Sequence, residues 1–243
     1  MVAQFTTRRS PLRLALLLGG LLGGAFLIYQ VFQSYFLAKE PILVVIDPAY
    51  PYQDNDGRFL MNETYPLKVN WEMAQALGQV LNDKYHVRIK LTREHMDDVV
   101  SPEDRADLVN ETQARLLVRL DCSTRTGTGF RVYYPDQFNS AKADPLRLFE
   151  RSEKAASQIH QMMEKQLHNM LFDNDPAQER EIPVAASERS SYYAEVPSVT
   201  IEVATLSNMF DALFINSDTG QMRVAEAIAE GIVRNLRQRG EVF

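Results

Sequence analysis

Cysteine and histidine are both scarce in this sequence of 243 residues. Cys122 is the only cysteine, which excludes a small scaffold held together by disulfides. The four histidines, His86, His95, His160 and His168, form no H-E-x-x-H motif, so this common zinc signature is missing. Lys and Arg number 26 against 32 for Asp and Glu, and the net charge of -6 argues against a nucleic-acid partner.

Charged residues are absent from Leu14 to Ala38. Such a run exceeds the roughly 20 residues that span a bilayer core as a helix, and it predicts a transmembrane helix at 14–38. A cleaved signal peptide is the alternative. Its apolar region would be about 7–15 residues long and would end in a small-x-small cleavage site, which this run lacks.

Arg8, Arg9 and Arg13 lie just before the uncharged run. The positive-inside rule places such residues in the cytoplasm. The sequence therefore predicts a cytoplasmic segment 1–13, a single pass through the inner membrane, and a periplasmic or other extracytoplasmic domain at 41–243.

Four glycines, Gly19, Gly20, Gly23 and Gly24, form two small-xxx-small pairs within the run. Such pairs allow two helix backbones to approach closely. They predict a homodimer or a membrane-protein partner that packs on this helix. The alternative is that glycine is simply common in membrane helices.

Hydrophobic residues make up 45% of the sequence and charged residues 24%, so residues 41–243 can build a core. Apolar runs predict strands at 42–46, 87–91, 116–120, 129–134 and 199–203. Apolar residues at a spacing near 3.6 predict helices at 66–83, 102–114, 145–171 and 224–236, and a polar stretch predicts a loop at 173–190. This alternation predicts an α/β domain with a mainly parallel twisted sheet and helices on both faces.

Ligands of such domains bind at the carboxyl ends of the strands, and short motifs follow the strands here. In chain order the motifs are Asp47-Pro48-Ala49-Tyr50, Glu63, Thr92-Arg93, Arg105-Ala106, Asn110, Asp121, Gly129, Tyr133-Tyr134, Pro197, Glu202 and Leu206-Ser207-Asn208. Their order and spacing resemble the zinc-dependent N-acetylmuramoyl-L-alanine amidases of the Amidase_3 family. The resemblance covers nearly all of residues 41–243. It implies the amidase fold. It also implies descent from enzymes that cleave the bond between the peptidoglycan sugar and its stem peptide.

The departures from the family pattern fall on its chemistry. The resemblance implies that the zinc positions are Tyr50, Glu63 and Asp121, where the family has His, Glu and His. Only Glu63 keeps the family's ligand type, and zinc prefers nitrogen and sulfur donors, so we expect no zinc. Glu202 occupies the position of the family's catalytic glutamate.

The remaining carboxylates, Asp47, Glu63, Asp121 and Glu202, are expected near the strand ends. Clustered oxygen ligands suit a hard cation, so a weak Ca²⁺, Mg²⁺ or Mn²⁺ site could form there. Alternatively, these carboxylates pair with Arg93, Arg105 or Arg119, or they are hydrated in an open groove.

A binding groove formed by Tyr50, Arg93, Asp121 and Asn208 is expected at the same edge of the sheet. The adjacent Cys122 has no histidine nearby in the sequence to activate it, so a buried and inert thiol is expected. The leading hypothesis is a membrane-anchored, catalytically inactive amidase-like protein. It would act in a cell-envelope complex by binding a partner protein or peptidoglycan. The alternative is an active amidase with an altered metal site.

Overall fold

The chain divides into two units, Met1–Glu40 and Pro41–Phe243. The computed structural model describes residues 20, 22–30, 42–52, 55–135, 144–168, 170, 178–180 and 190–240. Among these residues, no helix is both long enough and apolar enough to cross a membrane. Most of the predicted span 14–38, including Gly19, and the whole of the basic segment 1–13 lie outside the described residues.

The first unit is helical at residue 20 and at residues 22–30. Gly20, Gly23 and Gly24 lie on this segment, and nothing described lies within 4 Å of where their side chains would begin. The predicted packing role of the four glycines therefore remains a prediction.

The second unit is built on a six-stranded mixed sheet. The strands are β1 (Leu43–Pro48), β2 (Arg88–Leu91), β3 (Leu116–Ser123), β4 (Arg131–Tyr134), β5 (Gln178–Arg180) and β6 (Ser198–Thr205). Their order across the sheet is β2-β1-β3-β6-β4-β5. Each neighbouring pair is parallel except β4 with β6, which is antiparallel. The predicted mainly parallel α/β arrangement is therefore confirmed.

Six helices of the second unit are described. They are α1 (Pro66–Tyr85), α2 (Pro102–Asn110), α3 (Pro145–Leu167), α4 (Ser190–Tyr193), α5 (Met209–Ile215) and α6 (Asp218–Gln238). The predicted start of α2 is confirmed, because the Ser101 side chain accepts a hydrogen bond from the backbone N–H of Asp104 and Pro102 is the first helical residue.

The two faces of the sheet pack against different helices. Alternate strand residues such as Ile46, Val118 and Ile201 belong to the main core, to which α1, α3 and α6 contribute their apolar faces. Their neighbours Val45 and Leu117 face the other way and pack in a smaller cluster with residues of α2 and of the α4 region. All fully buried hydrophobic side chains of the described residues lie between positions 44 and 236. Residues 41–243 therefore contain a complete core.

Several predicted boundaries are wrong. Helix α2 ends at Asn110 rather than near residue 114. Just after its end, the Thr112 hydroxyl donates to the carbonyl oxygen of Val109 at 2.6 Å. Helix α3 ends at Leu167 rather than 171, because His168 has a ψ of 128° and leaves the helical region. Strand β5 lies inside the predicted loop, and α5 was not predicted at all.

Candidate functional site

Polar side chains gather on the second face of the sheet, near the carboxyl ends of its strands. Asp121 of β3 is the direct register partner of Glu202 of β6. On the other side of Glu202, β4 brings Arg131 into register. Because directly opposite residues project to the same face, the three side chains form a row across the sheet.

The carboxylate of Glu202 is held by cationic and hydroxyl donors. Arg125 Nη2 donates to Oε1 at 3.2 Å and to Oε2 at 3.0 Å, and the Tyr133 hydroxyl donates to Oε2 at 3.0 Å. Arg131 Nη1 lies 3.9 Å from Oε2. Burial raises the pKa of Glu202; Arg125 opposes this rise, and neighbouring Asp121 adds to it.

Asp47 forms the buried part of the same polar face. Its Oδ1 accepts hydrogen bonds from Thr92 Oγ1 at 2.6 Å and Arg105 Nη1 at 2.7 Å. Its Oδ2 accepts from Ser190 Oγ at 2.5 Å and Arg119 Nη1 at 3.3 Å. Burial alone would raise the pKa of Asp47, but the two guanidinium groups hold it well below its usual range. For Asp47, the structure thus agrees with the alternative that the carboxylates pair with arginines.

Arg119 connects Asp47 to Asp121. Its Nη2 lies 3.5 Å from Asp121 Oδ2 and also donates to the Tyr52 hydroxyl. The other carboxylate oxygen of Asp121 accepts from Asn70 Nδ2 at 3.3 Å. Both carboxylate oxygens of Asp121 therefore already have a polar partner, one in a hydrogen bond and the other in an ion pair.

Tyr50 lies beside this network in a strained backbone conformation. Its φ is 61°, and its ring packs on Tyr52 at 5.1 Å and on Phe59 at 6.2 Å between centroids. A Cβ atom at Gly57 would lie 2.5 Å from Tyr50 Cγ, so Gly57 leaves the space that the ring uses. Burial and nearby Asp121 raise the pKa of Tyr50, which keeps the phenol protonated.

The other predicted groove residues are not arranged around Glu202. Arg93 is only 4% exposed, donates to the carbonyl oxygen of Pro48 and lies 5.1 Å over the Trp71 ring. Burial, aided by Arg105, lowers the pKa of Arg93 to about 10. Asn208 caps α5 by accepting hydrogen bonds from two of its backbone N–H groups.

Glu63 is exposed in a turn before α1, closed by paired backbone hydrogen bonds between Met61 and Thr64. Its φ is 66°. No hydrogen bond or ion pair of its side chain is found among the described residues. The structure thus brings together Tyr50, Asp121 and Glu202, and it leaves Glu63 on the surface.

Cys122 directly follows Asp121 in β3 but belongs to the main core. Cys122 is buried, as predicted, its Sγ donates to Asn70 Oδ1 at 3.2 Å, and burial raises the pKa of the thiol. His160 packs against Phe130 at 5.7 Å between ring centroids. Within the described parts of the chain, no three His, Cys, Asp or Glu side chains are grouped so that they could hold a metal ion.

Sequence reasoning missed Arg125 and Arg131. Arg131 could have been found, because β4 was predicted and residues 131 and 133 of a strand share a face. Arg125 lies in the polar loop between β3 and β4, where no periodic pattern indicates the direction of a side chain.

The chain is similar to known proteins in sequence family and in fold. The family model of N-acetylmuramoyl-L-alanine amidases, Amidase_3, matches residues 44–234. No protein with a curated description matches the chain. Among solved structures, the amidase AmiC2 of Nostoc punctiforme has a TM-score of 0.65 at 20% identity, over 82% of this chain and 99% of that one.

Two further amidase structures have the same fold. Ami1 from Mycobacterium smegmatis has a TM-score of 0.66 at 16% identity, over 83% of this chain and 100% of that one. CwlD from Clostridioides difficile, solved in complex with the GerS lipoprotein, has a TM-score of 0.61 at 16% identity, over 81% and 99%. Since the family model covers most of the sequence, the chain belongs to the Amidase_3 family of N-acetylmuramoyl-L-alanine amidases.

Proposed function

We propose that this chain is a membrane-anchored amidase-like protein that does not hydrolyse peptidoglycan. It acts in a cell-envelope complex by binding a partner protein or peptidoglycan. One observation carries the proposal: the carboxylate of Glu202, at the family's catalytic position, is occupied by Arg125 and Tyr133. A general base must be free to accept a proton from water or substrate, and both oxygens of Glu202 already accept hydrogen bonds.

The residues at the family's zinc positions do not suit zinc. Tyr50 is a protonated phenol, because burial raises its pKa. Asp121 is paired with Arg119, and Glu63 is exposed in a turn. Zinc prefers imidazole and thiolate donors in a tetrahedral set, and none of these three side chains supplies one.

The location and partner of the domain are parts of the same proposal. Residues 14–38 anchor the chain in the inner membrane, with residues 1–13 in the cytoplasm and residues 41–243 in the periplasm or its equivalent. Gly19, Gly20, Gly23 and Gly24 provide a contact for a second copy or for a partner helix. The CwlD structure with the GerS lipoprotein supports the idea that this fold can serve as a protein-binding module.

One observation favours an active enzyme as the second candidate. Glu202 is retained, and burial raises its pKa in the direction that a general base requires. In that case, a metal ion would be bound by oxygen ligands at an altered site. This candidate predicts hydrolysis that depends on an added divalent ion and disappears in Glu202→Gln.

Incubation of residues 41–243 with purified sacculi distinguishes the two candidates. Zn²⁺, Mn²⁺ or Ca²⁺ is added in turn, and the soluble products are analysed by mass spectrometry beside an active amidase of the family. We expect no release of stem peptides with any of the ions. Stem peptides that appear with the wild type and vanish with Glu202→Gln would refute the proposal and establish the enzyme.

The same reactions also separate the two binding modes. After centrifugation, protein in the sacculus pellet indicates peptidoglycan binding. Protein left in the supernatant directs attention to protein partners, which crosslinking of the full anchored chain in membranes then captures.

A further inference from the structure

The side chain of Arg125 is held in the site as a bound ligand would be. Its contacts with Glu202 and Tyr133 run through one terminal nitrogen. Nη2 lies 3.2 and 3.0 Å from the two oxygens of Glu202, and it donates to the Tyr133 hydroxyl at 2.5 Å. The Arg125 side chain is 60% exposed, whereas that of Glu202 is 17% exposed. The guanidinium group therefore reaches from solvent into a largely buried acceptor site.

The acceptor groups are fixed by the sheet. Glu202 belongs to β6 and Tyr133 to the antiparallel neighbour β4, where Thr200 is its register partner. The Tyr133 hydroxyl donates to Glu202 at 3.0 Å, which orients both groups toward the same cation. Arg125, in contrast, lies on the loop that joins β3 to β4. The site is therefore built independently of the residue that fills it.

The charges around Glu202 favour a cation at this place. Asp121 is its register partner on β3, so two carboxylates lie side by side on a half-buried surface. Arg119 is already engaged by Asp47 and Asp121. Arg131 is 3.9 Å from Glu202, too far for a hydrogen bond. Without Arg125, the carboxylate of Glu202 would keep only the longer ion pair with Arg131 and the hydrogen bond from Tyr133.

We infer that Glu202 and Tyr133 form a binding site for a guanidinium group. Arg125 closes this site in cis, and an arginine side chain of a partner takes its place when Arg125 is displaced. A guanidinium group suits the site better than an ammonium group, because it is less strongly hydrated and loses less on entering a buried site. The inference goes beyond the proposed function and holds whether or not the domain hydrolyses peptidoglycan.

Removal of Arg125 should create a measurable binding site. Residues 41–243 carrying Arg125→Ala are titrated with ethylguanidinium, and the shifts of the Glu202 and Tyr133 signals are followed by NMR. We expect binding about tenfold tighter than to the wild type, a difference of about 1.4 kcal/mol, because the guanidinium group of Arg125 no longer competes for the site. The double variant Arg125→Ala/Glu202→Gln should lose this gain.

Arg58→Ala is the matched control, because it removes an exposed arginine paired with Asp97 on the surface. It should bind ethylguanidinium as weakly as the wild type. Equal binding by the wild type and Arg125→Ala, or no shift at Glu202 in a folded Arg125→Ala domain, would overturn the inference. Equal affinity for ethylammonium would overturn the assignment to guanidinium. If Arg125→Ala does not fold, Arg125→Gln is titrated in its place.

Discussion

At the scale of single residues, Asp47 has the largest expected effect on stability. It is fully buried between Arg105 and Arg119. Asp47→Asn leaves both guanidinium groups without their shared carboxylate, and loss of one partner of a buried ion pair costs about 3–5 kcal/mol. We therefore expect the free energy of unfolding, measured with urea at neutral pH, to fall by about that amount.

Asp97→Asn is the control, since this carboxylate is 65% exposed and such surface pairs contribute about 0–1 kcal/mol. Acid supplies a second check. The low pKa of Asp47 stabilises the native state above its unfolded pKa of about 4, and this stabilisation is lost as pH falls toward the folded pKa. The advantage of the wild type over Asp47→Asn should therefore shrink below about pH 4. An advantage that is unchanged in acid would contradict this account.

Gly57 tests how firmly the ring of Tyr50 is held. Gly57 and Gly240 have nearly the same φ, +69° and +68°, but only Gly57 faces a side chain where its Cβ would lie. Alanine at Gly240 should cost only the left-handed strain of about 1–2 kcal/mol. Gly57→Ala should cost more in urea unfolding, because the Tyr50 ring must also move. Equal losses would mean that the ring yields freely.

Individual site residues could be predicted only in part. Asp47, Asp121 and Glu202 were found because a buried strand and its polar end leave a clear pattern. Glu63 was assigned from the resemblance to the amidase family, and the structure places it on the surface in a turn. Arg125 was missed because it lies in a loop, and its side chain is held by tertiary contacts with Glu202 and Tyr133.

At the scale of elements, the packing of α3 on α6 depends on Gly231. A Cβ atom there would lie 2.5 Å from Ile159 Cα and 3.0 Å from the carbonyl oxygen of Gln158. Backbone atoms cannot yield as side chains do, so the two helices would have to separate. Gly231→Ala should lower the free energy of unfolding by about 1–3 kcal/mol, despite the better helix propensity of alanine.

Gly78 of α1 provides the matched comparison for Gly231. Its Cβ would meet only side-chain atoms, Ile89 Cδ1 at 3.3 Å and Ile46 Cδ1 at 3.9 Å. Gly78→Ala should therefore be neutral or stabilising by up to about 1 kcal/mol, from helix propensity. A similar loss of stability in both variants would show that packing against α3 is not the cause.

The long helices were predicted, whereas three short elements, β5, α4 and α5, were not. Helices α1, α3 and α6 each have 20 or more residues and carry a clear apolar period. Strand β5 has only three residues, all polar, so its sequence has no alternation of apolar and polar residues. It is a strand because it pairs with β4. Helix α5 has seven residues, too few for its period to stand out.

At the scale of the whole molecule, the order of strands and helices was enough to predict the class of fold. The antiparallel pairing of β4 with β6 was not predictable from this order, because local patterns do not encode the direction of a neighbour. That pairing places Arg131 and Tyr133 beside Glu202. The sequence therefore predicted the edge of the sheet where the site lies. It did not predict the arginine side chains that lie beside Glu202 there.

Helix α6 also determines when the domain can reach its native state during synthesis. It packs against both α1 and α3 and supplies eleven buried residues, although it follows every strand in the chain. A nascent chain that has emerged only as far as residue 217 lacks this layer and leaves the apolar faces of α1 and α3 uncovered. The domain must therefore be protected from aggregation or proteolysis until residues 218–238 emerge.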